Sequence, residues 1–485
     1  MSETQNNVPI LHRKEWQTMM PALTATAGNM FTVNDNANVA RFTFYMNSAT
    51  IHYLYDHEQD DWIQVTSGAF SPALTAGACG CYSDWSPAFT ATGGSTTTVT
   101  VALNTHNING FVIGKTIEFL SGTAANIGLR RTITDVHTTG VAGSTIIITF
   151  ATAIPEVVAN NDTFRIASGS FFIFTSGVVA TSFKRFDIAT MSWGSALSIT
   201  NLASTWGTDG RMVTPGMLGV SYDSGTAAVT SNTTTLDCTG KAWAVDQWIN
   251  YQVRITGGTG IGQIRVITDN DADTLTFASG ADLDDTSTFV IEGDENAIYL
   301  LGNGAKTTVK YSISGNTWAN ISPTAARTNN AVAGMTADFI GVTGNALWAD
   351  ITNIHDGRYI YSFDGTTSVL ERLNINGGTS GAPTWEVVTY LPNIQVLATG
   401  SGSDWDAGTG NIYFHTAPSA SVPVRIYKYS VVKNVVKPVA TDWYLGGAVN
   451  QGNKIWIRAL SSANLVKWIY YMGHTVTLLR RIMIF

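Results

Sequence analysis

Apolar and polar positions along this chain fall into one phrase that returns several times. It is clearest between Asn296 and Ile321. Ala297-Ile298-Tyr299-Leu300-Leu301 is a continuous apolar run, the length of a strand buried on both faces. Gly302-Asn303-Gly304 is a turn cluster. Thr308-Val309-Lys310-Tyr311-Ser312-Ile313 alternates, as a half-buried strand does. Ser314-Gly315-Asn316 turns the chain again, and Trp318 opens a further strand.

The phrase recurs. Phe42 to Tyr45 leads to Ile51 to Asp56 and Trp62. Phe171 to Phe174 leads to Phe183 to Asp187 and Trp193. After the central copy come Tyr359 to Phe363, Val369 to Leu373 and Trp385, then Ile412 to Phe414, Val424 to Tyr429 and Trp443. A frayed last copy runs from Ile455-Trp456-Ile457 to Lys467-Trp468-Ile469-Tyr470. These are about six units, spaced from the third onward near the ~40–50 residues of propeller blades. Helical periodicity is nearly absent, apart from a short turn expected around Glu15 to Met20. The last copy is expected to close the ring by pairing near residues 37–46, which removes the open edge.

A second repeat explains two long gaps between units. Residues 95–166 and 233–291 are copies of one small β module. Ile113 to Phe119 matches Ile249 to Ile255, Arg130 to Thr134 matches Ile264 to Thr268, and Asp162 to Ile166 matches Ser287 to Ile291. Each copy ends just before the first strand of a unit, and both are expected on one rim. The organisation is an N-terminal arm (1–36), a first blade unit (37–91), module 1 (92–167), propeller (168–229), module 2 (230–292) and the remaining blades (293–485). The arm reads equally as a dock for a neighbouring subunit or a loose terminus.

Composition changes the picture in two ways. Charged residues are 13% of the 485, low against about a quarter in typical proteins, which suits broad β surfaces meeting other protein surfaces. The net charge of −8, without a basic run, argues against specific nucleic-acid binding; a mildly acidic lining still suits a DNA conduit. The N-terminus has no apolar signal core and no run is long enough to span a membrane, so synthesis in a reducing cytosol is expected. Thr475 to Leu479, broken by Arg480 and Arg481, reads as a closing strand.

Candidate chemistry is sparse. The three cysteines, Cys79, Cys81 and Cys238, have no framework or zinc spacing, and Cys79-Gly80-Cys81 reads as small residues in a loop. Tyr55 to Trp62 is the densest acidic cluster. It could offer oxygens to a hard cation, but it falls where other units have a hairpin turn. Asp269-Asn270-Asp271-Ala272-Asp273 opens like a calcium loop, yet Thr274 and Gly280 stand where Gly and Glu are required. Gly257 to Gly262 is followed by a strand, so it reads as a hairpin rather than a nucleotide loop. Ser221 to Thr226 loosely matches a sialidase Asp-box, with Ala228 replacing the aromatic. The sequence cannot bring Arg41, Arg185, Arg211, Arg327, Arg358 and Arg425 together. Trp62, Trp193, Trp318 and Trp385 are either sugar platforms or, from their repeat-bound positions, blade core. The eight histidines are scattered. No catalytic, cofactor-binding or metal-ligating set is assigned.

The blade phrase resembles kelch-like β-propellers over most of the chain, although the Gly-Gly doublet of good kelch repeats is reduced to Leu301-Gly302-Asn303-Gly304. The fold expectation is therefore all-β: a kelch-like propeller of about six blades with two inserted homologous modules. The module resembles strings in virion structural proteins of tailed bacteriophages. The matching residues are Val253-Arg254-Ile255-Thr256-Gly257-Gly258-Thr259-Gly260-Ile261-Gly262-Gln263-Ile264-Arg265-Val266-Ile267, then Asp273 to Phe277 and Ser287 to Ile291. That resemblance implies a non-enzymatic tail, nozzle or neck protein of the virion. It would form a ring with copies of itself and touch other tail, neck or portal-proximal proteins. The alternatives are a receptor- or glycan-binding propeller and, behind it, a glycan hydrolase.

Overall fold

The structure is a computed structural model. It describes residues 17–18, 29–31, 41–46, 52–59, 61–65, 79–140, 144–174, 183–202, 211–214, 221–301, 308–321, 336–340, 359–363, 369–375, 383–390, 402–406, 410–415, 424–431, 433–443, 454–459, 467–472 and 479–484. Among these residues the helical turns are two short 3-10 segments, Gly110–Val112 and Ala124–Asn126. Everything else regular is antiparallel β, as the alternation predicts.

Among the described residues, six four-stranded sheets form the propeller. Blade one is Asn29–Phe31, Phe42–Met46, His52–Asp56 and Asp61–Val65. Blade two is Cys79–Ser83, Ser170–Phe174, Phe183–Asp187 and Ser192–Trp193. Blade three is Arg211–Val213, Ala297–Leu301, Thr308–Ser312 and Thr317–Asn320. Blade four is Thr336–Ile340, Tyr359–Phe363, Val369–Asn374 and Thr384–Tyr390. Blade five is Gly402–Asp406, Asn411–His415, Val424–Ser430 and Val435–Trp443. Blade six takes Lys454–Ala459, Lys467–Met472 and Leu479–Ile484 from the end of the chain and Gln17–Thr18 from its beginning. The first strands of blades one to six lie side by side in sequence order around the centre.

Four expectations are corrected here. The last strand closes on Gln17–Thr18, through Gln17 opposite Arg481 and Thr18 opposite Arg480, and not on residues 37–46, because Phe42–Met46 is already paired on both sides. The same two residues form a strand where a helical turn was expected, and Asn29–Phe31 starts blade one. Cys79-Gly80-Cys81 is not a loop: it belongs to the first strand of blade two, with Cys81 opposite Phe172. Last, the apolar run of each phrase is the second strand of its blade. The modules therefore interrupt blades two and three between first and second strands. Gly302-Asn303-Gly304 lies outside the described residues.

The phrase now has a physical cause. A second strand sits between two blades, so both its faces are buried. Ile298 and Leu300 pack toward blade two with Phe172, Phe183, Tyr311 and Trp318. Ala297, Tyr299 and Leu301 pack toward blade four with Ile360, Leu373 and Trp385. The third strand ends in a polar residue that caps the following turn. Asp56 Oδ1 accepts the Glu58 amide (3.0 Å), Ser312 Oγ accepts the Gly315 amide (3.2 Å), and Ser430 Oγ accepts the Lys433 amide (3.3 Å). The preceding Tyr311 and Tyr429 donate their hydroxyls to Asn316 and Asn434. Both asparagines hold φ near +48°, a conformation asparagine tolerates better than most residues.

Module 1 is one seven-stranded sheet array and module 2 a six-stranded one. Each has its own apolar core, around Val99, Ile117, Ile148 and Phe164 in the first and Leu236, Val253, Leu275 and Phe289 in the second. Phe89–Thr90 and Ser221–Thr226 join these module sheets rather than the blades. In an up-and-down blade every first-to-second connection lies at the same end, so both modules rise from one face of the propeller. Module 1 is tied to a blade-two turn by Asn109, whose amide N–H and Nδ2 donate to the carbonyls of Ala189 (2.8 Å) and Ile188 (2.9 Å). Module 2 reaches blade four through Asn250 Nδ2 and the Ile375 carbonyl (3.0 Å).

Candidate functional site

Among the described residues, the densest concentration of buried charge is the seam where the two modules meet. Its framework is a shared strand register. In module 1 Phe119 lies opposite Phe164 and Glu118 opposite Arg165; in module 2 Ile255 lies opposite Phe289 and Arg254 opposite Val290. Each pairing has a register shift just after this point. The next hairpin returns to the same position in both: Gly128 N–H donates to the Phe119 carbonyl (2.7 Å) and Gly262 N–H to the Ile255 carbonyl (2.9 Å). Gly128 and Gly262 are thus equivalent residues. They also touch each other, backbone against backbone. The modules thus meet through equivalent glycines, and equivalent positions 118 and 254 carry opposite charges.

Three arginines and three glutamates fill the seam. Arg165 Nε donates to Glu118 Oε2 (2.5 Å) and Arg130 Nε to Glu118 Oε1 (3.2 Å), both within module 1. Arg254 Nη2 donates to Glu292 Oε1 (2.6 Å) within module 2. Across the seam, Arg130 lies 3.6 Å from Glu292, and Arg130 and Arg165 reach Glu295 Oε2 at 3.4 and 3.2 Å. Glu295 stands in the segment that leads from module 2 to the second strand of blade three. Trp85, in the segment entering module 1, donates its Nε1–H to the same oxygen at 2.6 Å. Its ring lies under the guanidinium carbons of Arg165 (3.9 Å) and Arg130 (5.1 Å), a cation–π arrangement that gains strength when water is excluded.

Burial pushes the Glu295 carboxyl up to about 7; Arg130 and Arg165 act against that shift, and Glu292 and Glu118 add to it. Burial by itself would lower the Arg130 pKa, but Glu295, Glu118 and Glu292 together raise it. The arrangement holds surfaces together. Among the described residues no three His, Cys, Asp or Glu side chains are placed to hold a metal ion, and no helix is long and apolar enough to cross a membrane.

The residues singled out in the sequence are dispersed. In the acidic cluster, Asp56 pairs with Arg41 at 2.8 Å and Glu58 with Arg41 at 3.2 Å, around the blade-one hairpin. Asp271 and Asp273 lie in the turn between Ile264–Asn270 and Thr274–Phe277, closed by the Asp271 amide on the Thr274 carbonyl (3.0 Å). Gly257 to Gly262 joins two strands of module 2. Ser221–Thr226 is a module strand, and its Asp223 accepts from Lys241 Nζ (2.6 Å) and Trp243 Nε1 (2.7 Å). Arg41, Arg185, Arg211 and Arg425 belong to blades one, two, three and five. Arg185 is half-buried over the Phe172 ring and donates to Ser170 Oγ and the Trp85 carbonyl. Arg327 and Arg358 lie outside the described residues.

Trp318 and Trp385 are buried in blade core. Trp62 and Trp193 are half-buried, with Trp62 against Tyr55 and Trp193 against Phe44 and Phe186. Cys81 and Cys238 are buried free thiols.

The sequence reading missed the seam. One signal was available, the sign reversal between aligned Glu118 and Arg254. Trp85 and Glu295 lie outside both aligned copies, so no repeat comparison reaches them.

No protein-family model matches the chain, and no curated protein matches it in sequence. Among solved structures the chain is similar to a protein in the crystal structure of the mitotic checkpoint complex, at 8% identity over 97% of this chain and 91% of that one, with a TM-score of 0.38. It is similar to U3-55K at 7% identity over 97% and 99%, TM-score 0.36. A luciferin-regenerating enzyme aligns at 9% identity over 96% and 94%, TM-score 0.35.

Proposed function

We propose that this protein is a non-enzymatic structural component of a tailed-phage virion, a ring-forming tail, nozzle or neck protein. The observation that carries the reading is the fused module pair. Two homologous modules rise from one propeller face and lock through buried charge into a single projecting body. A rigid projection on a flat disc suits a part that must hold neighbours in a fixed orientation. Of the arginines a glycan hydrolase would need to converge, Arg41, Arg185, Arg211 and Arg425 belong to four different blades, and those of the seam are paired with its glutamates. Low overall charge and Thr-rich module surfaces suit contact with copies of itself and with other virion proteins. The particle is the expected location.

The deciding experiment is the mass of the purified 51.9 kDa chain by light scattering, alone and with the other particle proteins. A closed ring of defined number, alone or with a tail or neck partner, is expected. A monomer that stays monomeric with every partner would overturn the proposal.

A further inference from the structure

We infer that the seam is a charge-coded recognition surface: each module is built to accept the other kind and to reject its own. The inference concerns the modules themselves and stands whatever particle the chain serves.

The argument starts from the charge each side brings. Module 1 presents two arginines and one glutamate, Arg130, Arg165 and Glu118. The module 2 side presents one arginine and two glutamates, Arg254, Glu292 and Glu295. Each side satisfies one internal pairing, Glu118 with its arginines and Glu292 with Arg254. What remains is surplus positive charge on one side and surplus negative charge on the other. These meet in a place where all six side chains are largely removed from water.

The shared strand register allows the homotypic pairings to be examined residue by residue. Ile166 lies opposite Ile117 and Ile291 opposite the equivalent Val253, so Ala167 is the counterpart of Glu292. Arg130 lies opposite Glu118 and Ile264 opposite the equivalent Arg254, so Ile264 is the counterpart of Arg130. Two copies of module 1 would turn Arg130 toward Ala167 and bury surplus arginines together. Two copies of module 2 would turn Glu292 toward Ile264 and bury surplus carboxylates together. The close Gly128–Gly262 contact would survive in either case, because both modules supply the glycine. The glycine contact is therefore common to all three pairings, and charge is what distinguishes them. Uncompensated buried charge is among the stronger ways to exclude a wrong partner.

The test uses full-length chains with half of the seam inverted. One chain carries Glu118→Arg, Arg130→Glu and Arg165→Glu. The other carries Arg254→Glu, Glu292→Arg and Glu295→Arg. Hydrogen exchange is followed at pH 8, above the Glu295 value of about 7, over 124–132 and 258–266, with 359–363 of blade four as the control for an intact propeller. Each half-inverted chain alone should exchange at the seam at least about tenfold faster than the native chain. An equimolar mixture should regain protection as concentration rises, module 1 of one chain closing on module 2 of the other.

Undiminished protection in each half-inverted chain would overturn the inference. So would equal recovery of either chain on its own. If inversion also exposes 359–363, the milder Arg130→Gln and Glu292→Gln substitutions decide. A double variant that exchanges no faster than the worse single supports the coded pair, and multiplying effects overturn it.

Discussion

Gly128 and Gly262 lie so close that a Cβ on either would overlap the backbone beside the other, Gly262 in one case and Ile127–Gly128 in the reverse. Both also hold positive φ, 76° and 87°. Each glycine therefore meets two demands, a left-handed turn within its hairpin and close approach across the seam. Gly114 and Gly240 share only the first demand, with φ of 82° and 88° and open space where a side chain would stand.

Alanine at these four positions separates the two demands. Gly114→Ala and Gly240→Ala should each cost about 1 kcal/mol, the strain of a left-handed residue with a side chain. Gly128→Ala and Gly262→Ala should cost that plus roughly 1–3 kcal/mol for parting the modules. Denaturant unfolding measures the costs, and equal losses at all four would show that the seam adds nothing.

The closing strand predicts a strong effect from a small deletion. Removing residues 1–20 takes away Gln17–Thr18 and leaves Leu479–Ile484 as an open edge. Thermal unfolding should fall by several degrees, and amides of 479–484 should lose protection before those of blade four. A truncated chain with native melting and native exchange would refute the closure.

Trp318 joins blades two and three by packing on Phe183 and Tyr311 and by donating Nε1–H to the Ser198 carbonyl at 2.9 Å. Trp318→Ala should cost about 3–5 kcal/mol. Trp193→Ala, at the half-buried equivalent on blade two, should cost less. Sugar-platform roles would reverse the pattern, with small stability losses and lost glycan binding on a glycan array.

Asp187 gives a pH signature. Burial raises its carboxyl from 3.8 to about 6, against Arg185, Thr190 and the Ala189 and Thr190 amides. A raised acid favours the native state when protonated. Its contribution is complete below pH 3.8 and is lost as pH rises through about 6. Asp187→Asn should therefore leave stability unchanged near pH 4 and raise it by roughly 1–3 kcal/mol near pH 8. Chemical denaturation at both pH values tests this, and a loss at pH 8 would show that the ionised pair with Arg185 is the stronger effect.

Asp223 tests the sialidase likeness of its strand. Asp223→Ala frees Lys241 and Trp243 from their shared acceptor and should destabilise module 2 by about 1–3 kcal/mol. Exchange should quicken in 221–245 while blade four is unaffected. A variant with native exchange and altered glycan turnover would place the residue in a catalytic role instead.

The sequence by itself determined the all-β class, the repeated blade phrase and the two modules, because these rest on local alternation. Ala297–Leu301 is apolar throughout since it lies between two blades, and Ser312 and Ser430 are polar since each closes a turn three residues long. The first strands were less legible. Cys79–Ser83 and Arg211–Val213 line the centre, where short strands of small or mixed residues carry no clear period. Only tertiary structure decided that the modules split their blades after such a strand, and that Gln17–Thr18 closes the ring. It alone joined Trp85, Arg165 and Glu295, Glu295 lying 210 residues from Trp85 and 130 from Arg165. Such a cluster has no local signature: its members are satisfied by one another, and their spacing along the chain reflects where two folded modules happen to touch.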